Sequence, residues 1–276
     1  MANQWVNTDD HSGLEALERV QRSLTVNLIM APRKHFTVCR CDEKHSDVAD
    51  RNLEHNYSFF PVEDDNGERI LGLYDAQRWF DSEAPENLIG DDFKKFSEDL
   101  VIGADASIID FVKEADEHPT RLVVSRNGVA GLVSLSDMQL LPVRAALFTL
   151  ITRLEMTMAR RIKERFSDPK EWLVKLSEDR RARIEEQISK AKKVDQFVNE
   201  VEFSQLKDKS RIIVNERLIY GEESKKSLNK KFEKIRELRD DIAHANNYAA
   251  SPSEARKTCS TVRSISGIIQ SLSKPV

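Results

Sequence analysis

Two stretches of the chain repeat the same order of parts, and this limits the possible folds more than any other feature of the sequence. Phe60-Pro61-Val62-Glu63-Asp64-Asp65-Asn66-Gly67-Glu68-Arg69-Ile70-Leu71-Gly72-Leu73 and Leu122-Val123-Val124-Ser125-Arg126-Asn127-Gly128-Val129-Ala130-Gly131-Leu132-Val133 both read as strand, Asn-Gly turn, strand and Gly-Leu. The turn glycines lie 61 residues apart and the second glycines 59. A helical pattern precedes each copy, at Ser46 to His55 and Ile108 to His118, and another begins near Asp75 or Ser136. The first half is therefore expected to hold two consecutive α/β units.

Within this arrangement, Gly131-Leu132-Val133-Ser134-Leu135-Ser136-Asp137 sets a hydroxyl and a carboxylate three residues apart at the end of a strand. Asp137 can accept bonds from a ribose diol, while Ser134 and the helix start beyond it can meet a phosphate. The order of parts, the opening Val26-Asn27-Leu28-Ile29-Met30, the central Phe60-Pro61-Val62 and the Gly131-to-Asp137 stretch together resemble the CBS domain. That resemblance implies a tandem pair acting as an adenosine-nucleotide-binding regulatory module, with Gly131, Val133, Ser134 and Asp137 at the ligand. The equivalent Gly72-Leu73-Tyr74-Asp75-Ala76-Gln77-Arg78 departs from the pattern at both polar positions, so one nucleotide site is expected rather than two. The alternative for Ser134 and Asp137 is a helix cap in a pair that serves as a scaffold without ligand.

After Leu141-Pro142 the pattern becomes helical throughout. Val143 to Phe166 reads as one helix with Leu147, Leu150, Ile151, Leu154 and Met158 on its apolar face. Asp168-Pro169 opens a charged helix running towards Lys193, with Asp168 as cap. The next helix spans about Val194 to Tyr220 and stops at Gly221. Ser227 to Tyr248 is a further helix, and Ser253-Glu254 opens the last, which carries Ala255, Val262, Ile265, Ile269 and Leu272. The expected organisation is a lead segment 1–19, an α/β pair over 20–142 (about 20–80 and 100–142) and an all-α bundle over 143–276.

Charge separates these halves. Residues 151–276 hold 28 of the 43 Lys+Arg and 20 of the 47 Asp+Glu, net +8, leaving −12 for residues 1–150. A basic bundle can attract a polyanion such as RNA, although a mixed-charge helical surface accounts for such an excess as well. Mean hydropathy is −0.53, no apolar run approaches the ~20 residues of a membrane span, and Met1 to Asp10 carries no signal pattern, so a cytoplasmic protein without membrane partners is expected. Cys39, Cys41 and Cys259 have neither disulfide-like nor zinc-like spacing and are read as packing residues, with no metal site.

The chemistry-bearing segment is Leu238-Arg239-Asp240-Asp241-Ile242-Ala243-His244-Ala245. With Ile235, Leu238, Ile242 and Ala249 taken as the buried stripe, Arg239 points about 85° and His244 about 135° from its centre. The two diverge by about 140° on an ideal helix, so a distorted turn or a second subunit is needed to bring them together. Asp240, four residues before His244, shares its face and can orient the imidazole. A histidine can move the 2′-hydroxyl or 5′-oxygen proton, and an arginine can stabilise a phosphorane, with no metal or cofactor required. An Arg-x4-His motif before the last helix of an all-α bundle resembles the HEPN superfamily. The resemblance implies a metal-independent endoribonuclease with Arg239, His244 and Asp240 at the site, a homodimer that brings two motifs together, and a stress, toxin or antiviral-defence setting. The fold class is thus an α/β CBS pair followed by an all-α HEPN-like helical bundle. Its partners would be RNA, a second copy and an adenosine nucleotide acting as regulatory ligand. The competing reading pairs Arg239 with a neighbouring acid and leaves His244 in solvent, giving a nucleotide-sensing scaffold whose HEPN-like domain only binds or dimerises.

Overall fold

The computed structural model describes residues 10–193, 199–219, 221 and 223–274. The chain forms two compact units, one from residues up to 24 together with those from 143 onward, the other from residues 25–142. Helix α1 (Asp10–Ser23) belongs to the first of these. Residues 10–19 of the expected lead segment 1–19 are therefore part of the helical unit, and residues 1–9 lie outside the described residues. Gly13 lies close to Met156: a Cβ there would stand 3.0 Å from Met156 Cε. Glu18 also holds Arg153 at 2.6 Å.

The unit 25–142 runs β1 (Ala31–Pro32), β2 (Cys39–Arg40), α2 (His45–Asn52), β3 (Phe59–Glu63), β4 (Ile70–Asp75), β5 (Lys94–Lys95), β6 (Val101–Gly103), α3 (Ile108–Glu114), β7 (Thr120–Ser125) and β8 (Gly128–Ser134). Each repeat is a parallel β-α-β step followed by an antiparallel hairpin, in sheets ordered β2-β3-β4-β5 and β1-β8-β7-β6. The hairpins bulge at equivalent places, Val62/Glu63 and Val123/Val124. Their turns differ in length. The second has two residues between its strands, whereas the first runs from Asp64 to Arg69 and is folded onto the Asp64 carboxylate, which accepts from the Glu68 and Arg69 amides at 2.8 and 3.1 Å. That extra loop accounts for the change of offset from 61 to 59.

Each second glycine sits where another strand crosses. A Cβ on Gly72 would lie 2.0 Å from Lys94 O, and one on Gly131 would lie 2.6 Å from Ala31 O. Gly131 is thus required by the β1–β8 pairing, independently of any ligand. The helices expected at Ser46–His55 and Ile108–His118 are shorter, and those expected near Asp75 and Ser136 are 3-10 turns, Ala76–Trp79 and Leu135–Gln139. Ile70 and Leu73 of the first repeat pack with Leu100 and Leu122 of the second, giving the pair a shared core.

The helical unit adds α4 (Leu141–Arg165), α5 (Pro169–Leu173), α6 (Glu178–Lys193), α7 (Leu206–Asn215), α8 (Lys225–Ala243) and α9 (Pro252–Leu272). The expected apolar faces are buried: Leu147, Leu150, Ile151, Leu154 and Met158 on α4, and Ala255, Val262, Ile265, Ile269 and Leu272 on α9. Each large aliphatic side chain removed from water contributes about 1.5–3 kcal/mol. Two expected helices are broken. Asp168 caps α5 by accepting from the Lys170 amide at 2.9 Å, but the chain turns at Val174–Ser177 after burying Trp172 and Leu173. The helix expected over 194–220 is replaced, where described, by a 3-10 turn (Glu200–Phe203) and α7; residues 194–198 and 220 lie outside the described residues. Asp208 explains the new start. Its carboxylate accepts from the Gln205 amide at 3.0 Å and is held by Arg180 of α6 at 2.5 and 3.1 Å. Among the described residues, no helix is long and apolar enough to cross a membrane.

Candidate functional site

The C-terminal end of α8 fixes where His244 stands. His244 closes the helix at φ −96° and ψ 10°, and Ala245 follows in the left-handed region at φ 57°. The Asn246 amide donates to Asp241 O at 2.8 Å and the Ala245 amide to Ile242 O at 3.4 Å, satisfying carbonyls that the helix end leaves open. Alanine is strained in this conformation because its Cβ crowds the backbone. Ala245→Gly is expected to stabilise the protein by about 1 kcal/mol. The check is a raised urea midpoint with unchanged slope, and a midpoint at or below that of the parent contradicts it.

A residue that the sequence does not single out holds this turn in place. Arg144, in the first turns of α4, donates from Nη1 to Asp241 O and Ile242 O at 3.1 and 3.2 Å and from Nη2 to Asn246 O at 2.8 Å. Its guanidinium also lies 5.0 Å from the centroid of the buried Tyr248 ring. Burial pushes the Tyr248 hydroxyl up to about 12. A fixed cation thus meets the negative end of the α8 dipole where the exposed His244 leaves the helix.

Arg239, Asp240 and His244 do not form one cluster within the chain. Arg239 Nη1 lies 2.9 Å from Asp240 Oδ1, so the carboxylate expected beneath the imidazole is turned to the arginine. A charged donor on the adjacent residue outcompetes the imidazole for that carboxylate. Arg239 leaves α8 on another side from His244 and lines a cavity of about 340 Å³ together with Glu155 of α4 and Lys209 of α7. Lys209 is buried, donates to Ser204 O and stands 4.0 Å from Glu155 Oε2. Burial lowers its pKa, and the facing Glu155, Asp208 and Glu202 oppose that shift. These partners come from distant parts of the chain, which is why the motif alone does not announce them.

In the unit 25–142, Ser134 and Asp137 form a capping box. Asp137 Oδ2 accepts from the Ser134 amide at 2.6 Å and from its hydroxyl at 3.1 Å. Burial raises the Asp137 pKa, and the two Ser134 bonds counter the rise. The turn that follows is a single 3-10 segment, Leu135–Gln139, so the expected helix N-terminus for a phosphate is not built there. Asp137 Oδ1 is free of the box. At the equivalent positions of the first repeat, Asp75 and Arg78 pair with each other at 3.7 Å and Arg78 reaches Asp92 at 2.7 Å.

No family model matches the chain, and no curated protein matches its sequence. Solved structures similar to it include the CBS domain of a bacterial CNNM/CorC family Mg2+ transporter in complex with ATP, at 18% identity over 49% of this chain and 97% of that one, with a TM-score of 0.38. A hemolysin-like protein containing a CBS domain from Oenococcus oeni PSU is similar at 23% identity over 43% and 93%, with a TM-score of 0.34. The CBS domains of a transcriptional regulator from Streptococcus pneumoniae are similar at 19% identity over 41% and 94%, with a TM-score of 0.35.

Proposed function

We propose that the chain is a nucleotide-regulated, metal-independent endoribonuclease in which a CBS pair controls a HEPN-like helical unit. The observation that carries this reading is the placement of His244: exposed, outside the core, and held at the end of α8 by a closed turn and the Arg144 clamp. As general base, the imidazole takes the 2′-hydroxyl proton, the 2′-oxygen attacks the adjacent phosphorus, and the P–O5′ bond breaks. The imidazolium so formed gives a proton to the departing 5′-oxygen, leaving a 2′,3′-cyclic phosphate and a 5′-hydroxyl. An arginine stabilises the charge on the phosphorane. Since Arg239 and His244 diverge within one chain, the proposal includes a homodimer in which each site takes one residue from each copy. Incubating the full chain with labelled single-stranded RNA in EDTA tests the activity. Cyclic-phosphate ends support it, and intact RNA across a diverse panel with every nucleotide tested overturns it.

The regulatory half of the proposal rests on Asp137, whose Oδ2 holds the turn and whose Oδ1, outside the capping box, would meet a ribose diol. An adenine nucleotide is expected to raise the unfolding temperature of the full chain, and Asp137→Ala is expected to remove that rise. Because the variant also loses a cap, the readout is the ligand-induced shift rather than the absolute midpoint. A panel of adenine nucleotides that leaves the midpoint unmoved argues against a sensor.

The Arg239–Asp240 pair favours a second reading. With its guanidinium turned to a carboxylate of its own helix, the helical unit would be a binding or dimerisation module controlled by the same sensor. RNA left intact by a chain that shows a nucleotide shift would select it.

A further inference from the structure

The cavity beside Arg239 has a chemical character that the cleavage proposal does not use. One face of α4 supplies two of its walls: Phe148 and, seven residues on, Glu155, which fall on the same side of a helix. Phe148 is 57% exposed, whereas the neighbouring Leu147 and Leu150 are buried, so its ring offers a flat apolar face to whatever enters. Glu155 is half-buried. Its one ion-pair contact among the described residues is the Lys209 ammonium at 4.0 Å, too far for a hydrogen bond, so both carboxylate oxygens keep open acceptor positions. The other acid in the lining, Glu202, has one oxygen engaged, since its Oε1 accepts from Asn199 Nδ2 at 2.5 Å. Arg239 stands exposed as the remaining cation of the lining, and among the described residues its ion-pair partner is the adjacent, exposed Asp240. The volume of about 340 Å³ falls within the range of small-ligand sites.

A flat ring, an open carboxylate and an arginine in one cavity match a nucleotide whose base edge offers two donors side by side. Among the four RNA bases only guanine does so, through N1–H and the N2 amino group, and both can reach the two oxygens of a carboxylate. Adenine and cytosine present a donor beside an acceptor, and the acceptor is repelled. The Watson–Crick edge is free only when the strand is unpaired, and stacking on an aromatic side chain is how single strands are commonly held.

We propose that this cavity is a guanine-binding subsite for single-stranded RNA, in which Phe148 stacks on the base, Glu155 accepts from its N1–H and N2–H, and Arg239 meets the adjoining phosphate. The proposal rests on the RNA reading of the helical unit and adds the base that it selects. Lys209 stands behind Glu155 at 4.0 Å, and is a positioning residue. Free guanine nucleotides share this chemistry, so the test includes them.

The experiment measures, by fluorescence anisotropy, binding of the full-length His244→Ala chain to short single-stranded RNAs that differ only in one central base. The guanine strand is expected to bind about tenfold or more tighter than the other three, in line with the energy of one specific base contact. Phe148→Ala, at an exposed position, is expected to weaken guanine binding by about tenfold. Glu155→Gln is expected to lose the preference and move it towards adenine or cytosine, whose mixed edges suit an amide; a purely structural role for Glu155 would not move it. Guanosine monophosphate is expected to compete only at higher concentration than the guanine RNA. Equal binding of the four strands, or a guanine preference that survives Glu155→Gln, overturns the proposal. Saturation of the cavity by the mononucleotide without RNA binding overturns the RNA assignment. The two proposals fail separately. A parent chain that prefers guanine strands but leaves them uncut removes the nuclease reading and keeps the subsite, while base-indifferent cutting does the reverse.

Discussion

His244→Ala abolishes metal-independent RNA cleavage in the expected outcome, lowering the rate by at least about 100-fold, the usual scale of one general acid–base group. The fold should be untouched, because the side chain is exposed and the helix-ending turn is made by backbone groups and Arg144. Circular dichroism and the urea midpoint provide that control. Arg239→Ala should also be inactive, and Arg239→Lys should recover little, because an ammonium cannot present the planar fork that a phosphorane oxygen pair accepts. Mixing the two inactive chains then tests the composite site. Subunit exchange between His244→Ala and Arg239→Ala copies is expected to restore part of the parent rate, since one of the two sites in each mixed dimer regains both residues. No recovery after verified exchange, or cutting by His244→Ala at the parent rate, rejects the mechanism.

Arg144→Ala is the variant expected to hurt stability most. It removes three donor bonds from the end of α8 and a cation held over a buried ring, and it leaves the carbonyls of Asp241, Ile242 and Asn246 to find other partners. A loss of about 2–4 kcal/mol is expected for a charged group with several bonds in a partly buried setting. Hydrogen exchange should show the last turn of α8 opening before the rest of the helix. Arg144→Lys separates the charge from the geometry: it keeps the cation at the helix end but cannot reach all three carbonyls, so an intermediate loss is expected. A midpoint within about 0.5 kcal/mol of the parent, the range of ordinary surface changes, shows that the clamp is dispensable.

The parts of this fold that could be read from sequence are those written at short range. The Asn-Gly turns marked both hairpins because only a few residues adopt positive φ, and Gly67 and Gly128 do so at 70° and 96°. The apolar spacing of α4, α8 and α9 marked their buried faces because period and burial are the same information on a helix. Long-range pairing was not legible. The place of α1 depends on contacts such as Glu18 with Arg153, 135 residues away, and nothing in residues 10–23 records them. Gly131 looked like part of a ligand motif because its crossing partner, Ala31, lies 100 residues earlier. The break before α6 and the new start at α7 escaped because the first follows the burial of Trp172 and the second uses a glutamine cap, a residue with no strong cap signature. For the candidate site, the motif residues were visible in the sequence. The clamp, the cavity and the diversion of Asp240 to Arg239 depend on side chains reaching across space.

The membership of α1 in the helical unit has a consequence for how the α/β unit can act on it. The segment 25–142 is an insertion, entered from α1 at Leu24 and left through α4 at Val143, so it hangs from two covalent tethers. A unit attached at one end can swivel without its neighbour registering the motion. One attached at both ends passes a change in the spacing between its own first and last residues to two chain connections rather than one. One of those connections runs through α4, which carries Arg144, Phe148 and Glu155.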